Sequence, residues 1–134
     1  MLYDELMDTR DGNFLKMNPP LRPKHMQEKM LQLLLDNEID YIASDHAPHT
    51  LAEKQSANPP SGIPVLPYYP EFLTFLANKG MSAEQLSKLT HDNIIQNFKL
   101  PPNTIHNSGH YFSSDSVCTD LAAEYGFNPF EVLR

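Results

Sequence analysis

Cysteine is nearly absent from this sequence: its 134 residues include only Cys118. A lone cysteine forms no internal disulfide, so we expect a chain suited to a reducing compartment, the cytoplasm. Without disulfides, stability has to come from a buried core. An apolar content of 40% in a chain of this length is enough to form one.

Basic residues are also scarce, since 10 Lys and Arg face 17 Asp and Glu and leave a net charge of −7. This balance repels nucleic acids and anionic membranes, so we expect neither as a partner. The first twelve residues, MLYDELMDTRDG, lack the basic and apolar regions of a secretory signal. No apolar run approaches the roughly 20 residues of a membrane-spanning helix. We therefore expect a soluble chain.

Two short apolar runs, at residues 13–17 and 39–44, flank a segment with helical periodicity. We predict the runs as strands and the segment between them as a helix that starts at Pro23 and stops near Asn37. Its buried face would carry Met26, Met30, Leu33 and Leu34. A strand–helix–strand unit is typical of a parallel α/β fold.

Residues 46–69 contain several prolines and Gly62, so we predict one long loop. Loops of this length are usually functional. Helices resume at Pro70, with Gly80 as a C-cap, a capping box of Ser82 and Gln85, and a last helix near residues 92–100. The helical signals weaken after the prolines at 101 and 102. We therefore divide the chain into residues 1–100 and a C-terminal extension, 101–134.

The segment DYIASDHAPHT, residues 40–50, places Asp45 directly after the second predicted strand. In parallel α/β folds, functional residues lie beyond the carboxyl ends of strands. A carboxylate there can bind a metal and accept a proton, and His46 and His49 suit metal binding, proton transfer or an anionic substrate. Aspartate also favours turns and caps, so the residue types alone leave a purely structural role open.

The string SDHAPHTLAEK, preceded by KMNPPLR and followed by PPSGI and THDNIIQNFKL, resembles dihydroorotase over residues 13–100. The resemblance implies a metal-dependent (β/α)8 barrel, a TIM-type α/β fold. Such an enzyme interconverts N-carbamoyl-L-aspartate and dihydroorotate in pyrimidine biosynthesis. This chain would supply strands 7 and 8 with their following helices.

The resemblance also assigns roles to individual residues. Asp45 matches the aspartate that binds metal and shuttles the proton, in a site that holds two zinc ions in the family. His49 matches the histidine that binds the substrate carboxylate, and Asn18 matches the asparagine that contacts the pyrimidine ring. Backbone groups at Ser61 and Gly62 would face that ring. For His46 the resemblance gives no role, and we expect a structural hydrogen bond.

A complete (β/α)8 barrel needs about 250 residues. The family's remaining metal ligands, which include a His-x-His pair and a carboxylated lysine, have no counterpart in this sequence. We therefore expect the chain alone to be inactive, to bind zinc weakly or not at all, and to self-associate or bind the rest of a barrel. Two alternatives stay open: a non-catalytic remnant with an interaction role, and a cyclic amidohydrolase of the hydantoinase or allantoinase type.

Overall fold

A computed structural model describes residues 2–9 and 12–101, which form short helices joined by loops. The C-terminal extension, apart from residue 101, and its lone cysteine lie outside the described residues. The α-helices are α1 (Lys24–Leu35), α2 (Leu51–Lys54), α3 (Tyr69–Asn78), α4 (Ala83–Ser87) and α5 (Asn93–Phe98). A π-helical turn, Lys88–Asp92, joins α4 to α5, and 3-10 turns span Asp4–Asp8, Gly12–Leu15 and Leu66–Tyr68.

Helix α1 confirms the sequence prediction in its position and in its stop signal. The amide of Asp36 closes the last turn on the carbonyl of Gln32, and Asn37 follows with a left-handed φ of 64°. Asparagine tolerates this conformation better than most residues. The predicted buried face is only partly buried, because Leu34 is 5% exposed whereas Met26 and Met30 are 48% and 45% exposed.

The ends of α3 and α4 also confirm the predicted caps. Gly80 has a φ of +100°, and its amide donates to the carbonyl of Ala77. Ser82 and Gln85 form both hydrogen bonds of the capping box at the start of α4. The π turn follows, where the Thr90 hydroxyl donates to the carbonyl of Leu86. Such back-bonding disturbs the regular helical ladder.

The hydrophobic core lies between α1, α3 and the α4–α5 segment. Its buried members are Leu34, Leu76, Met81 and Leu89. Partly buried side chains surround them: Leu31, Leu35, Ile39, Ile42, Phe72, Leu73, Phe75 and Leu86. Gln85 adds a polar tie, since its Nε2 donates to the carbonyl of Leu35 at 3.2 Å. The apolar faces of these helices therefore pack against one another to form the core.

The two predicted strands are wrong in this structure. Residues 12–15 form a 3-10 turn, and residues 39–44 bond to helices instead of to a strand. The amide of Ile42 donates to the carbonyl of Leu89 at 3.1 Å, and the Asn93 side chain donates to the carbonyl of Asp40 at 2.8 Å. A strand needs a neighbouring strand to satisfy its backbone groups, and the described residues supply none.

The predicted loop at residues 46–69 contains a short helix, α2, and a 3-10 turn, so that prediction is wrong in part. Within residues 2–9 and 12–101 the sole β-bridge pairs His46 with Ile63 in parallel orientation. The described part of the chain therefore shows no barrel. None of its helices has the length and apolar character needed to cross a membrane.

Candidate functional site

Asp45 begins the candidate site at a sharp turn of the backbone. Its φ of 48° lies in the left-handed region, which aspartate tolerates because its side chain can hydrogen-bond locally. The residue is exposed. Directly after it, His46 bridges Ile63, and the amide of Ala47 donates to the carbonyl of Ile63 at 3.2 Å. The bridge therefore brings the segment after Asp45 beside residues 61–63.

His49 contacts the neighbouring segment directly. Its Nε2 lies 3.0 Å from the carbonyl oxygen of Ser61. A carbonyl only accepts, so this nitrogen carries the hydrogen and donates it. The other ring nitrogen, Nδ1, lies 3.9 Å from Oε2 of Glu53. The His49 side chain is 26% exposed, so it remains within reach of a ligand.

Gly62 allows this close approach because it has no side chain. Its φ is +134°, and a Cβ at this position would lie 2.6 Å from the carbonyl oxygen of Ala47 and 3.1 Å from Nε2 of His49. The Gly62 amide donates to the carbonyl of Lys16 at 2.9 Å. Glycine is therefore required here both for backbone conformation and for space.

Helix α2 starts at Thr50, immediately after His49, with a complete capping box. The Thr50 hydroxyl accepts from the amide of Glu53, whose carboxylate accepts from the amide of Thr50. The hydrogen bonds from the Thr50 amide and hydroxyl lower the pKa of Glu53, and nearby His49 lowers it further. A charged carboxylate is therefore held beside Nδ1 of His49.

His46 makes the structural hydrogen bond that we expected. Its Nδ1 lies 3.1 Å from the backbone nitrogen of Leu66, and that amide donates. Nδ1 is therefore an acceptor, and the hydrogen of the neutral ring is on Nε2. This bond fixes residues 63–66 against the end of the Asp45 turn.

Lys54 is the residue that sequence reasoning missed, although it ends the quoted SDHAPHTLAEK string. It is 2% exposed, and its Nζ donates to the carbonyls of Lys16, Pro60 and Gly62 at 3.1, 3.1 and 2.9 Å. Burial lowers the pKa of the Lys54 amine, and the charge of Lys16 lowers it further. The only sequence signal was its place in the motif, because an AEK helix turn usually exposes its lysine.

Asn18 follows Lys16 by two residues, with an exposed side chain and a cis peptide bond to Pro19. The contacts of the Lys16 carbonyl with Lys54 and Gly62 attach this segment to the site. The structure thus brings His49, Ser61 and Gly62 together and places the segment that leads to Asn18 beside them. The convergence of the Asn18 and Asp45 side chains stays a prediction.

Zinc in proteins is held by three or four protein ligands. In the described ranges, no group of three or more His, Cys, Asp or Glu side chains is placed to hold a metal ion. The exposed carboxylate of Asp45 is one potential ligand, so the described residues do not by themselves fit a zinc centre.

Comparison with known proteins gives a consistent result. No family model matches the chain. A dihydroorotase of Anoxybacillus flavithermus is 36% identical over 133 residues, which is 96% of this chain and 30% of that protein. The dihydroorotase of Fusobacterium nucleatum is 32% identical over 127 residues, covering 92% and 29% respectively. A dihydroorotase of a Geobacillus species is 56% identical over 55 residues, 41% of this chain and 13% of that protein.

The chain therefore spans about three-tenths of the length of the first two of these relatives. The identities over that span confirm the predicted resemblance to a C-terminal portion of dihydroorotase. Over nearly its whole length, this chain is a homologue of a segment of dihydroorotase.

Proposed function

We propose that this chain is the substrate-contacting segment of a dihydroorotase-type cyclic amidohydrolase, with N-carbamoyl-L-aspartate and dihydroorotate as its small-molecule substrates. The observation that carries the proposal is the contact of His49 with Ser61, 3.0 Å from Nε2 to the carbonyl oxygen, beside Gly62. Three of the predicted substrate residues, from two segments of the chain, meet there. Similarity to dihydroorotases supports the same assignment.

In this proposal His49 binds the substrate carboxylate through Nδ1. Its Nε2–H is held by the Ser61 carbonyl, so the protonated ring has the Nδ1–H left to donate to an anion. A hydrogen bond between two charged groups is stronger than one between neutral groups. Gly62 contributes space rather than a donor, since its amide already bonds to Lys16.

Asp45 would accept and return the proton during ring opening and closure. The residue is exposed, so its carboxylate is accessible to a ligand. Asn18 would contact the pyrimidine ring with its amide. We propose that zinc binds only in the complete enzyme, because the described residues offer no set of three ligands.

The complete enzyme implied by the similarity is a TIM-barrel amidohydrolase, which the described residues do not form alone. We therefore propose that the chain binds the remainder of a barrel or self-associates. Residues 1–134 alone, with excess zinc, are expected to show no hydrolysis of dihydroorotate, and light scattering is expected to show association.

A chimera tests the proposed roles. This chain replaces the matching segment of the Anoxybacillus flavithermus dihydroorotase, and hydrolysis of dihydroorotate is followed. Asp45→Asn should lower kcat by roughly 10²- to 10⁴-fold, because it removes the proton acceptor but retains a side chain that tolerates positive φ. His49→Ala should mainly raise KM.

A folded chimera without activity would contradict the proposal. So would Asp45→Asn and His49→Ala variants that retain the turnover and affinity of the unsubstituted chimera. Lys88, whose side chain is 40% exposed and pairs with Glu84, is substituted as Lys88→Ala in a control that removes a charge outside the site.

A further inference from the structure

Lys54 is the buried charged residue of the described part of the chain, and its surroundings are unusual for a lysine. The residue is 2% exposed, whereas lysine is almost never fully buried unless its charge is paired. The ammonium group has three N–H donors. Three carbonyl oxygens, of Lys16, Pro60 and Gly62, accept them at 2.9 to 3.1 Å. Every donor of this buried cation is thus satisfied by backbone.

Two of these carbonyls flank the residue that His49 contacts. Pro60 and Gly62 direct their carbonyl oxygens to Lys54, while the carbonyl of Ser61 between them accepts from His49. The backbone bends at Ser61, and Gly62 has a φ of +134°. Because Lys54 holds the carbonyls on both sides of this bend, it also fixes the carbonyl of Ser61 between them, which accepts from the imidazole.

The third carbonyl extends the same junction to the Asn18 segment. The oxygen of Lys16 accepts from Nζ of Lys54 at 3.1 Å and from the amide of Gly62 at 2.9 Å. Lys54 itself ends α2, the helix that begins directly after His49 and Thr50. One ammonium group thus joins the three segments that carry the predicted substrate contacts.

We propose that Lys54 is a positioning residue, which orients the His49 imidazole for an anionic ligand by fixing the Ser61 carbonyl that accepts its Nε2–H. The identity of that ligand, a carboxylate substrate, rests on the proposed function. The orientation of the His49 ring does not depend on the proposed function. Lys54 acts through Ser61 and touches no reacting atom.

The test compares Lys54→Met and Lys54→Arg in residues 1–134, with Lys88→Met as a control for removing an exposed lysine charge. Nitrogen-15 NMR of the His49 ring reports which nitrogen carries the hydrogen, and hydrogen exchange of the Gly62 amide reports the junction. In Lys54→Met, we expect His49 to lose its preference for Nε2–H and Gly62 exchange to accelerate at least roughly tenfold. Exchange at Leu76 and Leu89 should be unchanged, as should all readouts in Lys88→Met.

A folded Lys54→Met variant with unchanged His49 signals and unchanged Gly62 exchange would overturn the proposal. If Lys54→Met does not fold, Lys54→Arg decides. Its planar guanidinium keeps the charge but cannot reproduce the ammonium geometry, so the same two signals should shift part of the way. Unchanged signals in a folded Lys54→Arg variant would also overturn the proposal.

Dihydroorotate hydrolysis by the chimera, with and without Lys54→Met, separates this inference from the proposed function. A folded chimera without activity, together with a His49 ring that reorients in Lys54→Met, supports the positioning role and counts against the substrate. An active chimera whose KM is unchanged by Lys54→Met, with an unmoved ring, overturns the positioning role alone.

Discussion

The helical region and the loop region of this chain are held together by different forces. Helices α1, α3 and α4, with the π turn, pack through apolar side chains around Leu76 and Leu89, both 0% exposed. The loop region, residues 46–63 with the Lys16 carbonyl, is organised around the buried ammonium of Lys54. Its ties are hydrogen bonds to backbone, and it carries the candidate site.

Apolar packing therefore stabilises the helical region, whereas hydrogen bonds position the groups of the loop region. Apolar burial is nondirectional and scales with the area removed from water, so it stabilises the helices without fixing any one atom closely. Hydrogen bonds to a buried charge are directional and strong, so they fix where a carbonyl lies. A candidate binding site made of loops needs the second kind of interaction.

Truncation in the helical core should have the largest effect. Leu76→Ala leaves a cavity at a fully buried position, and we expect the free energy of unfolding to fall by about 2–5 kcal/mol in urea denaturation. Leu66→Ala, with 54% of the residue exposed, is the matched control and should change it by less than about 0.5 kcal/mol. Equal losses from the two variants would contradict the assigned core.

The steric requirement of the loop region can be isolated with two glycines. Gly62 and Gly80 both have positive φ, +134° and +100°, but a Cβ meets backbone only at Gly62. Gly80→Ala should cost about 1–2 kcal/mol of unfolding free energy for the backbone alone. Gly62→Ala should cost about 1–3 kcal/mol more and should displace His49 in NMR spectra. Similar costs, with His49 unmoved, would refute the close packing.

Glu53 offers a smaller and opposite change. Its carboxylate lies 3.9 Å from Nδ1 of His49, where it competes with an anionic ligand. Glu53→Gln keeps a residue suited to the capping box but removes the charge. Without the competing charge, we expect the affinity for N-carbamoyl-L-aspartate to increase roughly two- to fivefold in calorimetry. The increase is small because an exposed ion pair contributes little. Weaker binding would show that Glu53 assists the ligand.

The smallest effect concerns acid pH. Hydrogen bonds from the Thr50 amide and hydroxyl lower the pKa of the Glu53 carboxyl, so the cap of α2 is complete above the ordinary glutamate pKa. It should be lost as pH falls through the lowered value. Thr50→Ala removes the hydroxyl but not the amide, so NMR titration should show the Glu53 pKa moving only part of the way back. A full return would contradict the larger role of the amide.

The local helix signals were predictable because they act between near neighbours. Asn37 as the stop of α1, Gly80 after α3 and the Ser82–Gln85 capping box are all present. The contact of His49 with Ser61, beside Gly62, was not predicted from the sequence. The roles of Asp45, Asn18, His49, Ser61 and Gly62 toward a substrate stay predictions.

The strands at 13–17 and 39–44 were wrong because short apolar runs do not specify a partner. Ile39 and Ile42 join the core beside helices, and the amide of Ile42 bonds to Leu89. The same run would suit a strand if neighbouring strands were present, since pairing decides strand formation. Met26 and Met30 likewise follow helical periodicity, although they are 48% and 45% exposed.

By itself the sequence determined the helix positions, their caps and the family resemblance, because these depend on residue type and spacing. The tertiary structure decided that Lys54 is buried, that His49 packs closely against Gly62, and that His46 accepts a hydrogen bond from Leu66. Each of these depends on segments separated by many residues meeting in space. A lysine in an AEK turn is exposed or buried according to which carbonyls the rest of the chain brings to it.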